Sequence, residues 1–301
     1  MDESRHDLTV QYCFPNNNLS CRKELHTPTN LLILSLAVAD LLMGLIVMPV
    51  NIMQLIDSCW YLGEIACTVV PLTATLSMLG SLCSMVLIAV DRYIAVCDPL
   101  LYSTRITVSK TTVFIIIGWS FSVFYTVICL YLNDHFLPSQ MSSSCYGECI
   151  LVIKFYWVIV DLVVTFIAPC SVILVLYSVI FHVARHQAKA VRAVKNSTSK
   201  KQRSKVSSSS ETKAAKKLGT VIFVYLACWI PYYLSSLSVE SLASSSVVWT
   251  VFTWLVYINS SVNPLIYGIF YSWFRASAKY IVTCTILETS SSRFNLYREN
   301  L

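Results

Sequence analysis

The sequence predicts an all-α fold, a polytopic bundle of membrane-spanning helices, and three observations carry that reading. Of 301 residues, 56% are hydrophobic and only 13% are charged, whereas a soluble domain carries about 25% charged residues. Six stretches, 30–55, 67–94, 111–132, 151–182, 215–239 and 247–270, stay apolar long enough to cross hydrocarbon, which takes about 20 residues in a helix. Lysine and arginine crowd one connection, from Arg185 to Lys217, while the connections on the opposite side of the six runs carry none. Basic connections stay cytoplasmic, so the net charge of +6 reports topology and contact with membrane lipid, and no nucleic-acid partner is expected.

Each element follows in order. Residues 1–25 form an amino-terminal segment without the apolar centre of a cleavable signal. The bundle occupies 26–271. Between its third and fourth spans lies Leu132 to Ile150, rich in serine and carrying two cysteines. Between the fourth and fifth lies a basic loop, 184–213, with Lys200-Lys201-Gln202-Arg203 and four serines at 207–210. It reads as a flexible cytoplasmic connection. In 271–279 aromatic residues alternate with basic ones, so 272–301 is read as a short amphipathic helix on the inner surface followed by a tail. No internal repeat is visible, which counts against a transporter built from repeated halves.

The twelve cysteines divide by position. Cys13, Cys21, Cys59, Cys67, Cys145 and Cys149 fall in or near segments placed outside, where oxidation is permitted. Cys83, Cys97, Cys129, Cys170, Cys228 and Cys284 fall in apolar or inward segments and read as small buried hydrophobes.

Charge inside the membrane is costly, so each instance is a functional candidate. Only two acids lie deep in the spans, Asp40 and Asp161, and Asp91-Arg92 closes the inner end of the second span. Around these stand further motifs: Leu36-Ala37-Val38-Ala39-Asp40, Trp119, Pro169, Tyr177, Cys228-Trp229-Ile230-Pro231, and Asn263-Pro264-Leu265-Ile266-Tyr267.

In this order and at these depths the motifs, with Asp91-Arg92-Tyr93, resemble the rhodopsin-like, G-protein-coupled receptors, with the six spans standing as helices II to VII. Asn259-Ser260-Ser261-Val262-Asn263-Pro264, Tyr12-Cys13-Phe14-Pro15 and His26-Thr27-Pro28-Thr29-Asn30 resemble the trace-amine-associated subfamily. The resemblance implies a plasma-membrane receptor for small amines, olfactory in most of the family, that raises cyclic AMP through a stimulatory heterotrimeric G protein. It implies a switch in which Arg92 pairs with Asp91 and Glu211 until helix VI swings out. Tyr177, Asn263, Pro264 and Tyr267 belong to that switch, and Trp229 and Pro231 form its lever and hinge. Asp40, Ser81, Asn259 and Asn263 match the family's sodium site, a hard cation among oxygens, and no other cofactor is expected. The disulfide Cys67–Cys149 is implied, as are Cys13–Cys145 and Cys21–Cys59. Asn18-Leu19-Ser20 is a glycosylation sequon.

Two departures stand out. Amine receptors place an aspartate in helix III seven residues after the outer cysteine, and here that position is Ala74. Asp161, eight residues before Pro169, resembles the acid of a fish-expanded clade in which the counter-ion has moved to helix V. With Thr165, Trp229, Tyr232, Tyr233, Trp254 and Tyr257 it forms the candidate amine site, an ammonium facing one carboxylate and several rings. The alternative is a structural acid bonded to a neighbouring helix. The second departure is that the amino-terminal segment runs through Ser20-Cys21-Arg22-Lys23-Glu24-Leu25 straight into His26, where relatives carry helix I. Helix II starting from inside would keep residues 1–25 inside as well, where Asn18 goes unglycosylated and only Cys67–Cys149 can form. A truncated, non-signalling receptor form is therefore the competing reading. A six-span channel would need a filter loop or charged pore lining, and an enzyme would need a nucleophile–base pair, metal-ligand spacing or a glycine-rich phosphate loop. None of these occurs in the sequence.

Overall fold

A computed structural model describes residues 12–14, 17–20, 27–56, 60–133, 149, 153–197, 208–238 and 247–270, with 275, 279, 282 and 283. For 12–14, 17–20, 188, 190–197, 208–221, 238 and 267–270 it describes the backbone alone. Two short strands, β1 (Tyr12–Phe14) and β2 (Asn17–Ser20), pair antiparallel with Tyr12 opposite Ser20.

Six long helices follow. Helix α1 runs Pro28–Ile56, α2 Gly63–Cys97 and α3 Val108–Leu132. Helix α4 runs from Phe155–Asp161 through a π-helical turn, Leu162–Ile167, into Ala168–Ser197. Helix α5 is Ser208–Ser238 and α6 is Val247–Phe270. All six expected spans are therefore helices. Among the described residues, α1, α2, α3 and α4 as far as Gln187 are long and apolar enough to cross a membrane, and α5 has an apolar run over Ile222–Leu237.

The basic loop expected at 184–213 is a correction. Helix α4 continues to Ser197 and α5 begins at Ser208, so only 198–207 separate them. The reason is composition. Ala184, Ala188, Ala190 and Ala193 alternate with arginine, lysine and glutamine, all strong helix formers. Basic charge and serine content made the segment look like a loop.

Local chemistry explains the boundaries. Thr27 and Thr107 cap α1 and α3, their side chains accepting from the backbone N–H of Asn30 and Lys110. Between α1 and α2 the chain turns at Gly63, whose φ is 76°, a conformation that favours glycine. Trp60 Nε1 donates to the Gly63 carbonyl at 2.7 Å and closes that turn.

Two of the helix prolines coincide with π-helical turns. Pro49 follows a π-helical turn at Met43–Val47, and Pro169 follows the one at Leu162–Ile167. A proline gives no N–H and clashes with the carbonyl four residues earlier, and a π-helical turn absorbs that misfit. At Pro169 the displaced carbonyl is that of Thr165, and the Tyr225 hydroxyl donates to it at 3.2 Å.

Helix α2 is the axis of the bundle, packing against α1, α3 and α4, while α5 packs on α6. Gly80 lets α3 approach it, since a Cβ there would lie 3.1–3.3 Å from three atoms of the Trp119 ring. Trp119 Nε1 donates to Ser35 Oγ at 3.0 Å, and Ser35 shares a hydrogen bond with Ser84 at 2.8 Å, joining α1, α2 and α3. The main core combines Ile33 and Leu36, Leu82, Met85 and Ala89, Cys170 and Ile173, and Tyr225, Trp229 and Tyr233. The outward faces are apolar too, with Phe114, Ile117, Phe124 and Val175 each more than half exposed. Helices apolar all round belong in lipid.

Candidate functional site

Asp161 is positioned by the start of α4. Asn133, buried at the end of α3, accepts from the Lys154 backbone N–H at 2.7 Å and donates to the Cys129 carbonyl at 2.7 Å. Lys154 Nζ donates to the Leu132 carbonyl at 2.8 Å. These bonds clamp the first turn of α4 to the end of α3. Two turns later Asp161 reaches the bundle interior, immediately before the π-helical turn.

Both carboxylate oxygens are engaged. Tyr125 on α3 donates to Oδ1 at 2.9 Å, and Tyr233 on α5 donates to Oδ2 at 2.8 Å. Thr165 donates to the Asp161 backbone carbonyl at 2.8 Å, and its hydroxyl lies 2.5 Å from that of Tyr233. Aromatic rings surround the acid on both sides. Tyr125 packs on Trp157, with centroids 5.7 Å apart. Tyr233 stacks on Trp229 at 5.8 Å and meets Tyr232 edge-on at 5.2 Å. Phe166 adds a further tilted ring 5.1 Å from Tyr233.

The structure thus gathers Asp161, Thr165, Trp229, Tyr232 and Tyr233. It places Trp254 and Tyr257 in a second buried cluster with Met43, Val47 and Ala74, and Met78 touches both clusters. Tyr125 and Tyr225 were missed by sequence reasoning. Their signal was a hydroxyl inside an apolar run, which no local pattern distinguishes from ordinary packing.

At the other end of the bundle Asp91 is almost fully buried and is paired with Arg92, whose Nε donates to Oδ2 at 3.0 Å. Thr29 of α1 donates to the same oxygen at 2.9 Å and also contacts Arg92, while Tyr102 donates to Oδ1 at 2.7 Å. Burial first, and then the hydrogen bond to Asp91, push the Tyr102 phenol above its ordinary value, so it remains a donor at neutral pH. Asp40 accepts from Asn263 Nδ2, at 3.1 and 3.2 Å, and Ser260 also hydrogen-bonds to it. Ser81 and Asn259 are buried, and Ser81 Oγ has no hydrogen-bond partner among the described residues.

A family model described as 7 transmembrane receptor (rhodopsin family) matches residues 18–267. The chain is 40% identical over 280 residues to trace amine-associated receptor 13c of Danio rerio, covering 91% of this chain and 82% of that one. It is 37% identical to trace amine-associated receptor 6 of Homo sapiens (93% and 83% covered) and 38% identical to human trace amine-associated receptor 9 (93% and 82%). The chain belongs to the trace amine-associated branch of the rhodopsin family of seven-transmembrane receptors. It is a receptor rather than an enzyme, a multi-pass protein of the plasma membrane that takes a small-molecule ligand and a G protein.

In this receptor the Asp91-Arg92-Tyr93 segment ends α2, with Tyr93 half-buried. Tyr177 packs against the main core, and Pro264 lies inside α6. The side chains of Glu211 and Tyr267 lie outside the described residues, so the Arg92–Glu211 pairing does too. Cys67 and Cys149 form a disulfide, with Cα atoms 5.5 Å apart, that ties the segment before α4 to the outer end of α2. Gln54 donates to the Cys149 carbonyl at 3.1 Å. The expected pairs Cys13–Cys145 and Cys21–Cys59, the sequon side chain of Asn18 and most of the surface helix lie outside the described residues. Arg275, Lys279 and Val282 are helical, and Thr283 N–H donates to the Lys279 carbonyl at 2.9 Å.

Proposed function

We propose that this receptor detects small amines, with the ligand's ammonium paired to Asp161, and that it signals through a stimulatory G protein to raise cyclic AMP. The observation that carries the reading is one carboxylate held in the bundle interior among tyrosine and tryptophan rings. An ammonium gains there from a charge-assisted hydrogen bond and from the ring faces. The names of the relatives agree with an amine ligand. Ala74 has no charge to offer and packs against Tyr257, so the work falls to Asp161. In cells co-expressing a cyclic-AMP reporter, Asp161→Ala abolishes the response to amines and Ala74→Asp shifts which amines are preferred. An amine response that survives Asp161→Ala unchanged sinks the assignment.

The same reading takes Asp40, Ser81, Asn259 and Asn263 as a sodium site. The donor set fits, since a carboxylate, a hydroxyl left without a partner and two amide oxygens suit a hard cation. A bound ion would hold α1, α2 and α6 together.

One observation favours a second reading. Only seven residues, 21–27, separate β2 from α1, far short of the ~20 a span requires. Among the described residues between Tyr12 and Phe270 there are six long helices where the family has seven spans, and a form that pairs with other receptors without signalling is the competitor. Surface staining of a tagged chain, beside a version given an additional first helix, separates the two.

A further inference from the structure

Each oxygen of the Asp161 carboxylate holds one tyrosine hydroxyl, and the two tyrosines come from different helices. Tyr125 is 8% exposed, Tyr233 3% and Thr165 5%. Bulk water does not compete freely at such positions, so these bonds define how the carboxyl plane is turned. The proton order on one side follows from the inventory of donors. Tyr233 spends its single O–H on Asp161, so it can only accept from Thr165. Thr165 then sits behind Tyr233, and its hydroxyl shares one proton between Tyr233 and the Asp161 backbone carbonyl. On the other side the Tyr125 hydroxyl bonds Asp161 alone among the described side chains. Its ring is held by Trp157 and by Phe121, 6.0 Å away.

A carboxylate offers about four acceptor positions. Tyr125 and Tyr233 take one on each oxygen and Thr165 stands close to a third, so an acceptor position stays open. That pattern matches an ammonium that still carries N–H, whereas a trimethylated one offers none and is left with attraction of charge alone. Two phenol donors already offset part of that charge, which penalises a ligand relying on it. We propose that Tyr125 is a positioning residue for the amine anchor, and that by holding Asp161 Oδ1 it makes the site select primary and secondary ammonium groups over quaternary ones. This rests on Asp161 being the anchor.

The probes are 2-phenylethylamine and its N,N,N-trimethyl counterpart, read by cyclic AMP and normalised to surface staining, on the full chain and on Tyr125→Phe, Asp161→Asn and the double variant. Tyr125→Phe weakens the primary amine about tenfold, the worth of one hydrogen bond to a charged group, and narrows the gap to the trimethylated probe. The double variant loses no more than Asp161→Asn does. An equal loss on both probes, an additive loss in the double variant, or no loss in Tyr125→Phe overturns the proposal. A full response in Asp161→Asn overturns the anchor itself, a separate result. A ligand-free measurement covers a chain that does not signal. In infrared spectra of membranes holding the chain, the carboxyl band missing from Asp161→Asn shifts in Tyr125→Phe, and an unmoved band overturns the proposal.

Discussion

At the scale of single residues, the bundle depends on a few contacts that tolerate no added atoms. Gly80 faces the flat of the Trp119 ring, and a Cβ there would meet three ring atoms at 3.1–3.3 Å. The ring cannot fold away, because its Nε1 is bonded to Ser35. Gly80→Val therefore costs about 1–3 kcal/mol by overpacking and lowers the thermal midpoint of the detergent-solubilised chain. An unchanged midpoint would mean that α3 slides freely on α2. Asp40 matters through charge and not through space. If sodium binds beside it, adding sodium in place of choline raises the midpoint of the native chain and leaves that of Asp40→Asn where it was. Ser81→Ala should lose part of the same shift, since its hydroxyl has no other partner.

At the scale of elements, α4 decides whether Asp161 can work. Its π-helical turn inserts between Asp161 and Pro169, and each residue of a regular helix turns about 100°. Removing the cause should therefore re-aim the acid. Pro169→Ala restores an N–H for the Thr165 carbonyl, which now relies on Tyr225. The helix becomes more regular and Asp161 turns away from Tyr233. The expected outcome is a loss of amine potency without a fall in thermal midpoint, checked by dose–response curves beside a melting curve. Potency equal to that of the native chain argues that the turn is incidental. Parts of this were legible in the sequence. The spans and their order follow from local hydropathy. The two π-helical turns were not read, although Pro49 and Pro169 signal them, because a proline tells where a helix is disturbed and not how it recovers. The helical extension of α4 into the basic segment was missed for the opposite reason, since charge was weighed above propensity.

At the scale of the whole molecule, six long helices stand among the described residues where the family has seven. Leu34, Val38, Leu41 and Leu45 form an exposed apolar stripe along α1. Inserting an apolar helix of about 25 residues between Lys23 and His26 should raise surface staining several-fold and restore an amine response. Equal staining with and without it would show that the six-span chain folds and travels unaided. The sequence by itself determined the class of fold, the family and the two intramembrane acids. Those depend on composition, period and motif, which are local, whereas the pair Cys67–Cys149 was implied by the family resemblance and is closed by the structure. Tertiary structure alone decided that Asp161 is shared by Tyr125 and Tyr233, that Trp254 and Tyr257 gather around Ala74 instead, and that Thr29 and Tyr102 join the Asp91–Arg92 pair. Those partners are 36 to 72 residues away for Asp161. Which of them meet depends on how far each helix is rotated about its axis, and that rotation is set by prolines, π-helical turns and close packing between helices rather than by any one segment.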